Sequence, residues 1–100
     1  MAGREAIVAA ILETAEEFNE SLDVKIDVAL GERAPLFGRH GALDSLGLVS
    51  FVTAVEQDLA DKLEMEVTLA DENAMSLRRS PFRNVGRLAD HALSAHAGSE

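Results

Sequence analysis

Gly41-Ala42-Leu43-Asp44-Ser45-Leu46-Gly47-Leu48-Val49 is the stretch on which the fold of this 100-residue chain turns. A glycine-broken loop ends there in Asp-Ser, and an apolar-periodic segment begins. Asp44 has the chemistry of an N-cap, because its carboxylate accepts the free amide hydrogens of a first helical turn. From there Val49, Val52, Val55 or Glu56, Leu59 and Leu63 recur at steps near 3.5. That spacing predicts a second helix over residues 44–63 with one stripe toward a core. Leu46, Leu48 and Phe51 widen its apolar surface, and Asp58, Asp61 and Glu64 lie on its polar side.

Upstream, Ile7, Ile11, Leu12, Ala15 and Phe18 share one helical face, with Glu13, Glu16, Glu17 and Glu20 largely off it. They predict a first helix over about 4–20. Asp23-Val24-Lys25-Ile26-Asp27-Val28 alternates polar and apolar. It has no strand to pair with, so extended chain is expected, pinning Val24, Ile26 and Val28 or Leu30 on the bundle. Gly31, Pro35, Gly38 and Gly41 mark a long loop, so that 21–43 connects the first two helices. Leu36, Phe37 and Leu43 are its expected anchors.

Downstream, Glu64–Leu69 alternates and is expected to be irregular. Asp71-Glu72-Asn73-Ala74-Met75 predicts a short third helix near 71–76, with Met75 and Leu77 inward. Ser80-Pro81 has the pattern of an N-cap followed by a first helical residue. Phe82, Val85, Leu88, Ala89, Ala92 and Leu93 then give a stripe. The last helix is expected over about 81–94, with 95–100 as a tail. The fold class is therefore all-α: a four-helix bundle of three main helices and one short one, in a single domain over 1–100.

Composition narrows the function. Eighteen acidic against nine basic residues give a net charge of −9, so nucleic acid is a poor partner. Cysteine is absent, which removes disulfides, thiolate metal sites and cysteine nucleophiles. No apolar run approaches the roughly 20 residues that span a bilayer, and Glu5 and Glu13 flank the first apolar stretch. A soluble, cytoplasmic monomer without membrane contacts is expected. His40, His91 and His96 lack metal-ligand spacing. A Ser45–His40 pairing lacks a rigid third group, so no catalytic residue and no activity of its own are expected. Arg78, Arg79, Arg83 and Arg87 form the basic cluster, best read as a solvated face.

The Asp44-Ser45 pair puts a hydroxyl in the first turn of a helix, where partial positive charge and free amides favour a phosphate. Asp44 disfavours free phosphate but could hold a metal during a transfer reaction. By residue type alone, a plain cap accounts for Asp-Ser before a helix.

The wider pattern is more specific. Leu43-Asp44-Ser45-Leu46-Gly47-Leu48-Val49 is followed by Ala54-Val55-Glu56-Gln57-Asp58-Leu59, by Val67-Thr68-Leu69-Ala70-Asp71-Glu72-Asn73, and by Ser80-Pro81-Phe82-Arg83-Asn84-Val85-Gly86-Arg87-Leu88. In order and spacing this resembles the acyl carrier protein family, which includes peptidyl carrier domains. The resemblance implies that Ser45 receives 4′-phosphopantetheine from coenzyme A, with Asp44 completing the attachment motif. The implied partners are a phosphopantetheinyl transferase, an acyl- or aminoacyl-loading enzyme and downstream acyl-using enzymes. The implied role is a stand-alone acyl carrier holding its cargo as a thioester. The alternatives are an aminoacyl or peptidyl carrier, and, in another class, an unmodified four-helix interaction module.

Two departures from the family's pattern shape the expectation. Gly47, Leu48, Ser50 and Phe51 stand where fatty-acid carriers usually bear acidic residues. Docking is therefore expected to use Leu46, Leu48 and Phe51, with Glu56 as the nearest acid on the helix. The glycine that often ends this helix is also missing. Both departures imply a specialised biosynthetic pathway or aminoacyl cargo.

Overall fold

The computed structural model describes residues 3–22, 24–37, 41–67, 69 and 82–98, with backbone alone for Ser45 and residues 95–98. Helix α1 spans Arg4–Asn19 and buries Ile7, Ala10, Ile11, Thr14 and Ala15. Leu12 and Phe18, which flank that stripe, are half-buried. The end of α1 is sealed by side chains from the following turn. The Lys25 ammonium donates to the carbonyls of Asn19 and Leu22, a cation placed at the negative end of a helix. The Asn19 side-chain amide pairs with the Ile26 backbone in both directions, at 2.9 and 2.7 Å. That pairing seats Ile26 in the core.

The alternating stretch is corrected here. Of its apolar residues Ile26 is buried and Val28 half-buried, whereas Val24 and Leu30 are exposed. Val28–Arg33 is a short 3-10 helix, broken at Gly31, whose φ of 59° and ψ of −125° suit glycine. Asn19 holds only the backbone of residue 26, and beyond it the chain satisfies its own amides locally. The Leu30 amide donates to Asp27 O and the Ala34 amide to Gly31 O.

Residues 34–37 then pair with the approach to the last helix. The amides of Leu36, Phe37 and Val85 donate to the carbonyls of Arg83, Phe82 and Ala34, at 2.9, 3.1 and 3.1 Å. Leu36 also accepts from the Leu43 amide at 2.9 Å, so the loop folds back on itself. Ala34, Leu36 and Leu43 are buried, and Phe37 packs against the core. Among the described residues these contacts make isolated bridges and no strand.

Helix α2 spans Ser45–Leu63. It runs antiparallel to α1, because Phe18 stacks edge-on against Phe51, Thr14 bonds Asp58, and Lys62 pairs with Glu13. Its buried residues are Leu48, Phe51, Val52, Val55 and Leu59. The expected stripe is thus rotated: Val49 faces out and Leu48 and Phe51 face in. The helix ends at Glu64, which takes the left-handed conformation (φ 55°, ψ 34°) usually left to glycine. The Met65 amide reaches back to Leu59 O at 3.0 Å, and Met65 itself is buried.

The last helix, α3, spans Val85–Gly98. This corrects both expected ends. Asn84 is the cap: its side chain accepts from the Arg87 amide at 2.8 Å and its carbonyl from Leu88 at 3.1 Å. Residues 82–84 are held out of the helix by their pairing with 35–37. Ser80, Pro81 and the expected third helix near 71–76 lie outside the described residues, as do Met75 and Leu77. The helix also continues past Ser94 into the expected tail. Phe82, Val85, Leu88, Ala89 and Ala92 are buried, and Leu93 is at the surface. Among the described residues no helix is long and apolar enough to cross a membrane.

Candidate functional site

The mouth of α2 is built by three backbone devices. Gly41 packs flat on the chain five residues earlier. A Cβ there would lie 2.5 Å from Leu36 O and 2.6 Å from Phe37 N, so only glycine lets the loop close. Leu43, buried and tied to Leu36, then fixes the direction in which the chain enters the helix. Asp44 follows in extended conformation, and its Oδ1 accepts from the Gly47 amide at 2.7 Å while its carbonyl accepts from Leu48 at 2.8 Å. Asp44 is therefore an N-cap with both first-turn bonds made.

Gly47 serves the cap. A Cβ at that position would sit 3.1 Å from the capping Oδ1 and against Leu43. A larger residue would crowd the carboxylate at the point where it meets the amide. The signal for both glycines is in the sequence, but glycine reads there as loop punctuation, and the close approach emerges only from the fold.

Ser45 is the first residue of α2, with its amide at the positive end of a 19-residue helix. Its neighbours face solvent: Asp44 is exposed, and Leu46 is 82% exposed. Val49, one turn on, is 45% exposed, and Ser50 and Thr53 are exposed beside it. Between Asp44 and Glu56 the helix carries no charged side chain. The outer face at this end is apolar and hydroxyl-bearing in a chain of net charge −9.

The residues expected to dock partners are separated by the fold. Leu46 is at the surface. Leu48 and Phe51 are in the core, 1% and 0% exposed, and are corrected to packing residues: Phe51 meets the Phe18 ring with centroids 5.2 Å apart. Val49, expected in the stripe, takes their place outside. Glu56 is half-buried, and its Oε2 accepts from the Leu69 amide at 2.5 Å. It holds the segment after α2 against the helix. His40 lies outside the described residues. Among the described residues no cluster of three or more His, Asp or Glu side chains is placed to hold a metal ion.

Compared with known proteins, the chain matches no family model, no curated protein and no solved structure.

Proposed function

We propose that the chain is a carrier protein modified on Ser45 by 4′-phosphopantetheine from coenzyme A. The observation that carries this reading is the turn Asp44-Ser45-Leu46. The capping carboxylate is committed to the helix amide, the serine stands at the first helical position, and both of its neighbours are in solvent. A transferase needs such an approach, because it must bring coenzyme A to the hydroxyl without unfolding the helix. The group fits the residues present: the first-turn amides favour a phosphodiester, and the second carboxylate oxygen of exposed Asp44, Oδ2, is available to orient a divalent cation at the transferase while Oδ1 caps the helix. Once attached, the arm supplies the thiol that this cysteine-free chain lacks, and on it an acyl group is held as a thioester. The chain's own residues then do the presenting. Leu46 and Val49 offer a partner enzyme an uncharged surface next to Ser45, and Gly41, Leu43 and Asp44 hold that surface in place. An acyl cargo in a specialised pathway is the primary reading, and an aminoacyl cargo follows from the same surface.

Intact mass decides between carrier and interaction module. Incubation with coenzyme A and a broad-specificity phosphopantetheinyl transferase is expected to add one phosphopantetheine to the wild type and none to Ser45→Ala. No gain, or a gain that survives Ser45→Ala, overturns the proposal. Partner binding indifferent to Ser45→Ala, on a chain that is never modified, identifies an interaction module instead.

A further inference from the structure

The 3-10 segment Val28–Arg33 differs from every other described helix in burying none of its residues. Its flanks are firmly held. On one side Ile26 is buried and doubly bonded by Asn19. On the other, Ala34 is buried and accepts from the Val85 amide. Between these anchors the backbone kinks at Gly31, where even an added Cβ would meet nothing within 4 Å. The segment contacts both α1 and α3, so it lies over their seam. Short 3-10 turns are marginal by themselves, and a segment with few buried contacts opens at low cost.

One side chain ties this segment down from outside. The Arg4 guanidinium, at the first residue of α1, is 2.5 Å from a Glu32 carboxylate oxygen and 2.6 Å from Asp90 on α3. It also donates to Gly86 O at 3.4 Å. Gly86 permits the approach, because a Cβ there would stand 3.2 Å from Glu32 O. All three charged side chains are more than a third exposed, so salt screens them.

We propose that Val28–Arg33 is a latched strap: it opens locally about Gly31 over the α1–α3 seam while the bundle stays folded, and Arg4 is the latch. The latch joins three elements through one guanidinium. Its strength therefore follows ionic strength, whereas the anchors at Ile26 and Ala34 rest on burial and backbone bonds that do not.

Amide hydrogen exchange on the full chain tests this. The Leu30 and Ala34 amides, whose bonds to Asp27 O and Gly31 O break when the strap lifts, are expected to exchange faster than Val55 and Leu59 in α2. Raising sodium chloride from a few millimolar to about 1 M should speed them about three- to tenfold relative to Ser21, whose amide bonds lie outside the latch. Arg4→Gln should give the same acceleration at low salt and remove the salt response. Glu32→Gln, which leaves the Arg4–Asp90 pair in place, should do so in part and serves if Arg4→Gln does not fold. Exchange of Leu30 and Ala34 at the rate of the α2 amides overturns the strap. A salt response that persists unchanged in both variants overturns the latch.

Discussion

At the scale of single residues, glycine does more here than break helices. Gly41 lets two stretches of backbone touch, and the atoms opposing it are backbone atoms that cannot swing aside. Gly41→Ala is therefore expected to destabilise the chain by about 1–3 kcal/mol, read as a lower urea midpoint with an unchanged slope. Polar side chains act with the same economy. Thr14, buried in α1, bonds Ala10 O and the Asp58 carboxylate, joining the two antiparallel helices where apolar packing alone would be expected. Glu56 looks like a surface acid in the sequence and serves instead as an internal acceptor for Leu69. A sequence shows the type of such residues but not the amide that will face them.

At the scale of elements, the helices were legible where period and cap agreed. Asp44 announces α2 because the capping carboxylate and the apolar repeat begin at the same place. Ser80-Pro81 carries an equally good local signal, yet α3 starts at Val85 with Asn84 as its cap. Long-range pairing of 82–84 with 35–37 claims that backbone first, and no local pattern encodes it. The alternation over 23–28 predicts extended chain that pins Val24 as well as Ile26, but a lone alternating run has no neighbour to make it a strand, and from Val28 the chain turns into a 3-10 helix that closes its own amide bonds. At the candidate site, the position of the serine was legible and the outward surface was not. A wide apolar face can turn either way, and the Phe18–Phe51 contact decides it. The far end of α2 offers a direct test. Glu64 holds a left-handed conformation that costs an L-residue roughly 1–2 kcal/mol. Glu64→Gly relieves that cost, and also removes a negative charge from the negative end of the helix. Against this stands the extra freedom of glycine in the unfolded chain, which leaves a net gain of about 0.5–1 kcal/mol. Thermal unfolding should register it as a higher Tm.

At the scale of the whole molecule, charge is unevenly used. Acidic residues outnumber basic ones two to one, yet the described ion pairs gather at Arg4 and Lys62, each joining α1 to another element. The hydrogen bond from Arg4 holds the Glu32 carboxyl below its ordinary value of 4.5. A depressed carboxyl stabilises the folded state above that ordinary value and loses its contribution as pH falls through the folded one. Urea midpoints of wild type and Glu32→Gln should therefore differ at neutral pH, with wild type the more stable. The two curves should converge in acid once the pH has fallen below the folded value, where both side chains are neutral. A gap that stays constant into acid would mean that the pair does not contribute through its charge.

The pairing of 34–37 with 82–85 has one more consequence, and it concerns synthesis. The loop that leads into Ser45 is fastened to residues nearly fifty positions later in the chain. On a ribosome, α1 and α2 are complete well before residue 85 leaves the exit tunnel, and until then the amides of Leu36 and Phe37 lack their partners. The nascent chain thus carries its serine on an unfinished mouth. Any recognition that depends on the finished shape of this mouth has to wait until residues 82–85 have joined it.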